Sequence, residues 1–464
     1  METERLAPFA LPRYAEDALR ILEGAGHEAW VVGGFVRDAI MRRPCADIDI
    51  ASSAPWQEVQ RLFEDAGWRT RETGCKHGTI TVIREHDAIE VTTFRCDGAY
   101  LDARHPDEVT FVRSIEEDLS RRDFTMNALA YHPERGLLDP YGGLNDIEAG
   151  TIRTVGEADK RFSEDALRML RGCRFASELD FSIEPETFAA MVRNKGLLGR
   201  IAVERVRAEL DRLLVGPAAG RVLVDACDVI ATVLPEIVAM KGFEQHTPYH
   251  IYDVLEHTAR AIDGTAPRLR VRWATLLHDM GKPATFFRDE NGRGHFYGHP
   301  AVSVAIGRGL LERMLFSSAD RDRILTLVRW HDDVVPPTPR SVKRLLRRLD
   351  GDVELFCDLC ELKRGDARGQ APEFSAKRIA LADALEATLA DVLVSDEVFS
   401  LKQLAVDGSD VLAAGIPQGP AVGSVLEDAL QAVIDDEVAN DRDALLDFVH
   451  RWRDQTYSHK FSEQ

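Results

Sequence analysis

A chain of 464 residues, 45% hydrophobic and 29% charged, is long enough for several domains and ordinary in composition for a globular protein. Its formal charge of −20 excludes a protein that binds polyanions over its whole surface, though not one with a local basic groove. No apolar run reaches the ~18 residues of a membrane span. Glu2, Glu4 and Glu16 are unlike a secretory signal, and the seven cysteines are scattered and odd in number, so a cytoplasmic protein without a disulfide framework is expected.

Residues 13–25 have helical periodicity and stop at glycines. Trp30-Val31-Val32 reads as a buried strand that breaks at Gly33-Gly34 and resumes as a short helix carrying Arg37 and Asp38. Two glycines let a backbone come close to a ligand. Amides at a turn before a helix suit a phosphate, to which Arg37 can add charge. Asp47-Ile48-Asp49-Ile50 alternates, so in a strand Asp47 and Asp49 share one face. Hard oxygen ligands at that spacing suit Mg²⁺ together with substrate phosphates. Taken alone, Asp-x-Asp is equally a polar-faced edge strand.

Gly33-Gly34-Phe35-Val36-Arg37-Asp38 followed by Asp47-Ile48-Asp49 resembles the catalytic head of the class II tRNA nucleotidyltransferases. These are the CCA-adding enzymes and related bacterial poly(A) polymerases of the polymerase-beta-like superfamily. The resemblance implies an α+β protein: a small mixed-sheet head in 1–150, then an all-α neck in 151–220, an HD body in 221–370 and a helical tail in 371–464. It also implies addition of C, C and A to the tRNA 3′ end from CTP and ATP, with release of pyrophosphate and a two-metal Mg²⁺ site on Asp47 and Asp49.

Further along, a helix is expected around 55–66, then a glycine turn over 74–78 feeding a β-branched strand at 79–83. Another strand is expected at 89–95, where Glu90 points away from its apolar neighbours. Glu90 is either a third carboxylate of the metal site or a plain surface glutamate. His77-Gly78-Thr79 resembles the CCA-adding branch more than the poly(A) polymerases. The glycine- and charge-rich segment 97–114 reads as a mobile loop; in the family, a loop here accompanies addition of the terminal A and is missing from CC-only enzymes. Arg121-Arg122-Asp123, with Asn127, is the second family match. Its arginines suit triphosphate oxygens, or else form a helix-start salt bridge.

One helix is expected over 159–175, with Asp165 and Arg168 on one face. They are either a surface ion pair or, as the resemblance implies, a protein template for a base. The carboxylate would accept from the exocyclic amine of C or A and Arg168 would donate to the adjacent ring acceptor, while the carbonyl of U or G would be repelled. Arg171 and Arg174 would continue the basic series toward the triphosphate, and a second helix over 200–210 would brace the first.

The second half resembles the HD superfamily of metal-dependent phosphohydrolases: His257, His278-Asp279, His299, His331 and Asp366 stand in the expected order. Imidazole and carboxylate together suit Mn²⁺, Fe or Ni²⁺; the alternative is an inherited scaffold. Cys357 and Cys360 read as buried helical cysteines. Residues 340–349 form an amphipathic helix whose basic face includes Lys343, Arg344 and Arg347, either an RNA-backbone contact or a solvated face. Rival functions are a poly(A) polymerase, an enzyme adding only CC or only A, and an HD phosphohydrolase with an inert head.

Overall fold

The computed structural model describes residues 9–457 other than 46, 76–77, 98–108, 113 and 395–397. The chain divides into two compact units, 1–235 and 236–464.

The first unit begins with α1 (Arg13–Gly24), β1 (Ala29–Val32), α2 (Gly34–Ile40), β2 (Ile48–Ser52) and α3 (Trp56–Asp65). There follow β3 (Arg69–Gly74), β4 (Thr79–Arg84), β5 (Asp87–Thr93), β6 (Arg95–Asp97), β7 (Val109–Phe111) and α4 (Ile115–Ser120). Then come β8 (Ala130–His132), β9 (Gly136–Leu138), α5 (Gly143–Glu148) and β10 (Thr151–Ile152). Seven strands form one sheet in the order β3-β4-β5-β2-β1-β8-β9, in which only β2 and β5 pair in parallel. All four residues of β1 are buried, as a strand between two neighbours and under helices requires. Periodicity missed the edge strand β3, because Arg-Thr-Arg-Glu-Thr-Gly has no apolar face to reveal it. The ends of the expected loop at 97–114 pair as a ribbon, β6 with β7. Its centre, and His77 of the His-Gly-Thr turn, lie outside the described residues.

The helical part of this unit holds α6 (Ala158–Glu164), α7 (Leu167–Leu179), the short β11 (Ser182–Ile183), α8 (Pro185–Asn194), α9 (Val203–Leu214), α10 (Ala219–Asp225) and α11 (Cys227–Ile230). The single helix expected over 159–175 is two. Asp165 leaves the helical backbone at φ −139°, ψ 104°, and its Oδ1 accepts from Leu167 N at 3.0 Å. An aspartate competes well for free amides at a helix start, and here it opens a new helix.

The second unit comprises α12 (Val254–Asp263), α13 (Leu269–Leu277), α14 (Lys282–Thr285), the hairpin β12 (Phe287–Arg288) and β13 (Gly294–His295), α15 (His299–Arg313) and α16 (Ser318–Trp330). It continues with α17 (Pro339–Arg348), α18 (Val353–Arg368), α19 (Pro372–Val394), α20 (Gly408–Ala413), α21 (Pro420–Ile434) and α22 (Arg442–Tyr457). Residues 271–277 of α13 are all buried, so α12, α15, α16 and α18 surround it. Burial pushes the Cys360 thiol of α18 up to about 12, in keeping with a packed, inert cysteine. No helix among the described residues is long and apolar enough to cross a membrane.

Much of the basic face of α17 is paired within the chain, although Arg344 and Arg348 remain exposed. Arg344 Nη2 lies 2.6 Å from Asp435 Oδ1 and Arg347 Nη2 lies 3.2 Å from Glu427 Oε2. Lys343 Nζ lies 3.9 Å from Asp436 Oδ1, and the residue is 5% exposed. The three candidate RNA contacts are thus neutralised by α21 and the turn after it. Charge density on one helix was legible in the sequence, but its partner lay some 80 residues away in the same chain.

Candidate functional site

In the head, Val32 is registered opposite Asp49, so the glycine turn that follows β1 lies beside Asp47. Gly33 has φ 75°, the left-handed region open to glycine. A Cβ there would lie 2.8 Å from Arg122 Nη1, so any larger residue would push that guanidinium off the turn. Ile48 and Ile50 point into the core, while Asp47 and Asp49 are exposed. Parallel pairing sets Glu90 of β5 directly beside Asp49, on the same face. Crowding by the surrounding strands desolvates Asp49 and raises its carboxyl against the pull of Arg122, with Glu90 and Asp47 adding to the rise. Asp49 and Glu90 share one face with Asp47 two residues before Asp49, and hard carboxylates of this kind are the donors a divalent cation takes.

Of the basic candidates, Arg122 is best placed. Its guanidinium stands over Gly33, and its buried Nε has no hydrogen-bond partner. Arg121 is tied to Asp118 Oδ1 at 2.7 Å and to the Arg95 carbonyl at 3.1 Å, at the end of α4 rather than at a helix start. Arg37 is 7% exposed and already engaged: it donates to both Asp38 oxygens at 2.9 and 3.0 Å and to Asn127 Oδ1 at 2.7 Å. It pins the turn after Gly34 and is not a free charge for phosphate. Asn127 in turn donates to Asp123 Oδ1 at 3.0 Å, and Arg171 from α7 donates twice to Asp123 Oδ2, at 2.8 and 2.6 Å. Asp123 is thus the knot joining β8's approach to α7, its ion pair being with Arg171 and not with the arginines beside it. Burial would raise its carboxyl, but Arg171 and Asn127 hold it well below the usual range.

Asp165 and Arg168 do not pair with each other. Asp165 Oδ2 faces Arg205 Nη2 of α9 at 3.2 Å, and Arg168 Nη1 lies 2.8 Å from Glu164 Oε2. The ion-pair alternative is therefore excluded, and the bracing helix is seen to act on Asp165 itself. Arg174 is 3% exposed and lies 3.2 Å from Glu209 Oε2. Burial lowers its guanidinium to about 10. It packs 4.1 Å over the Phe175 ring inside the neck, not toward solvent and a triphosphate.

In the body, the six predicted residues do meet. His257 Nε2 lies 3.2 Å from Asp279 Oδ2 and 3.1 Å from Asp366 Oδ1. His278 Nε2 lies 3.1 Å from Asp279 Oδ2, and His299 Nε2 lies 3.3 Å from Asp279 Oδ1. His331 Nε2 is 3.1 Å from His299 Nε2. Gly281 makes this possible: a Cβ there would lie 2.4 Å from the His299 carbonyl oxygen and hold α15 away. The Nε2 atoms of His257 and His278 are buried without a hydrogen-bond partner, an arrangement that suits a cation. Burial would lower the His257 imidazole, but Asp279 and Asp366 pull it up to about 9. The cluster opens on a pocket of about 250 Å³ lined by the cations Lys282, Arg293 and Arg378. Lys282 was visible in His278-Asp279-Met280-Gly281-Lys282, whereas Arg293 and Arg378 had no local signal.

The sequence matches the profile of the Poly A polymerase head domain over residues 29–153 and that of the HD domain over 248–388. It is 33% identical over 445 residues to a CCA-adding enzyme of Lactiplantibacillus plantarum, covering 94% of this chain and 95% of that protein. A CCA-adding enzyme of Geobacillus thermodenitrificans is 46% identical over 267 residues, which span 57% of this chain and 62% of that protein. The crystal structure of the Bacillus stearothermophilus CCA-adding enzyme in complex with CTP superposes with a TM-score of 0.71 at 32% identity, covering 96% of this chain and 98% of that one.

Proposed function

The chain belongs to the CCA-adding enzymes, and we propose that it extends tRNA 3′ ends with C, C and A from CTP and ATP, releasing pyrophosphate. The family is metal-dependent. The observation that carries the reading is the registered pair Asp49–Glu90, with Asp47 beside it, at the rim of the bare Gly33 turn. Asp47, Asp49 and Glu90 would hold Mg²⁺. When bound, one such ion would make the RNA 3′-hydroxyl more acidic and a second would offset charge on the leaving pyrophosphate. The chain's own residues do the rest. Gly33 and Gly34 let the triphosphate lie against backbone and Arg122 donates to its oxygens, while Arg121 and Arg171, paired with Asp118 and Asp123, fix the walls of the site. Asp165, aimed by Arg205, would accept from the exocyclic amine of C or A, and Arg168 would donate beside it. We assign the head to 1–150, the neck to 151–220, the body to 221–370 and the tail to 371–464, and the reaction to the cytoplasm. The deciding assay is incorporation of labelled CTP and ATP into tRNA transcripts lacking CCA, CA or A. Incorporation of CTP alone would make it a CC-adding enzyme; untemplated ATP runs would make it a poly(A) polymerase.

A second reading concerns the body. The convergence of His257, His278, Asp279 and Asp366 beside Lys282, Arg293 and Arg378 supports a divalent-metal phosphohydrolase site, fitted to Mn²⁺, Fe or Ni²⁺. The test is hydrolysis of RNA ending in a 2′,3′-cyclic phosphate by wild type and by His278→Ala. Activity that disappears only with Asp47→Ala would place the hydrolysis in the head.

A further inference from the structure

We infer that the hairpin of β12 and β13 is a base-stacking platform, which holds the 3′-terminal nucleotide of an RNA strand with its phosphate over the body pocket. The inference rests on the phosphohydrolase reading of that pocket given above and adds what holds the rest of the substrate. Phe287 of β12 is registered opposite His295 of β13. Residues two apart along an extended chain share a face, so Tyr297 joins them while Phe286 and Phe296 turn the other way. The inward pair pack on each other with centroids 5.5 Å apart. The outward three close a triangle: 5.2 Å from Phe287 to His295, 5.4 Å from His295 to Tyr297 and 5.7 Å from Phe287 to Tyr297. The His295 ring is tilted only 21° from Phe287 and 26° from Tyr297. This cluster is not buried, since Phe287 is 46% exposed and Tyr297 75%. Clustered aromatic surface left in water at the mouth of a pocket marks a contact site rather than a core.

The platform is held rigid. A Cβ at Gly294 would run into the Gln245 carbonyl, so the bare position lets β13 lie flat on the body. His295 Nε2 lies 2.8 Å from Asp289 Oδ2, while Asp289 Oδ1 accepts from the amides of Asn291 and Arg293, each at 2.9 Å. One aspartate therefore fixes both the hairpin loop and the plane of the imidazole. Charge then selects the occupant. His295 and Tyr297 line the pocket together with Lys282, Arg293 and Arg378. Arg293 pairs with no carboxylate among the described residues; it meets the Tyr249 hydroxyl at 3.2 Å and stands 5.3 Å over that ring. The pocket's own acids are engaged, Asp279 with Lys282 at 2.7 Å and Asp366 with His257 at 3.1 Å. An arginine left over in a chain of charge −20 calls for an anion from outside. Flat π-surface beside cations is what the base and phosphate of one nucleotide need. The platform ends in solvent at Tyr297, where the preceding nucleotides of a strand would run on, so the occupant is a strand end and not a free nucleotide.

The experiment uses the full chain and a single-stranded RNA trimer ending in 2-aminopurine riboside 3′-thiophosphate, an end that resists hydrolysis. Wild type should quench the 2-aminopurine as the base stacks. Tyr297→Leu should bind about 5- to 150-fold more weakly and leave the base bright. Its melting temperature should not move, because the side chain is exposed, and Tyr297→Phe should behave as wild type. A trimer with an abasic end and the same thiophosphate should bind wild type and Tyr297→Leu alike, and Arg293→Gln should weaken both trimers. No quenching by wild type, or binding by Tyr297→Leu as tight as wild type, overturns the inference. So does a chain that sediments as a dimer until Tyr297→Leu breaks it, since a second copy then covers the rings. Hydrolysis of an RNA end carrying a 2′,3′-cyclic phosphate separates the two readings. Quenching without hydrolysis removes the phosphohydrolase and leaves the platform. Hydrolysis with equal kcat/KM in wild type and Tyr297→Leu removes the platform and leaves the phosphohydrolase.

Discussion

Arg205 Nη2 of α9 holds Asp165 Oδ2 at 3.2 Å, while Asp165 Oδ1 accepts from Leu167 N and opens α7. The carboxylate is therefore fixed from two sides, which a base-reading group requires. Asp165→Ala should relax discrimination against UTP and GTP. Arg205→Ala should do the same more weakly, because it loosens the group without deleting it. A displaced hydrogen bond of this kind is worth ~1–3 kcal/mol of discrimination, roughly 5- to 150-fold in the ratio of kcat/KM values. Unchanged selectivity in Asp165→Ala would remove the template role.

Asp47 and Asp49 lie on the exposed side of β2 with Ile48 and Ile50 inward, so their loss removes charge without opening the core. Asp47→Ala and Asp49→Ala should each cut nucleotide addition by ~10³-fold or more, ~4 kcal/mol of barrier. Glu90→Ala should also lower the rate, and melting temperatures should stay near wild type. Near-normal incorporation by either folded aspartate variant would move the metal site elsewhere.

The Asp123–Arg171 pair makes a pH prediction. Asp123 is 8% exposed and its folded pKa is depressed, so the folded state binds fewer protons than the unfolded one near the ordinary carboxylate value. Its contribution is full above about pH 4 and is lost as pH falls below that, toward the folded pKa. Asp123→Asn should cost ~2–4 kcal/mol at neutral pH, since it leaves Arg171 without its counter-charge. Urea unfolding as a function of pH should show the wild-type advantage narrowing in acid. A gap that stays constant below about pH 4 would mean that hydrogen bonding, not charge, sets the value.

Reversing Lys343, Arg344 and Arg347 to glutamate should destabilise the second unit and leave tRNA affinity unchanged. Exposed pairs are worth ~0.2–1 kcal/mol each, and reversal adds repulsion from Glu427, Asp435 and Asp436. Changing those three acids to lysine in the reversed chain should restore thermal stability. Loss of tRNA binding with a flattened salt dependence, and no loss of stability, would return the face to RNA.

Local chemistry made much of the head legible. A strand that stops at two glycines and an alternating Asp-x-Asp are consequences of backbone freedom and pleat periodicity, both written residue by residue, whereas Arg121-Arg122-Asp123 was legible only through the family resemblance. The six histidines and aspartates of the body were legible as an ordered set through their resemblance to the HD superfamily, and the fold brings them together. What the tertiary structure decided was partnership. Arg37 went to Asp38 and Asn127, Arg174 to Glu209, Asp165 to Arg205, and the basic face of α17 to the acids around α21. A charge in a sequence states what it can attract, not which opposite charge the folded chain brings within reach.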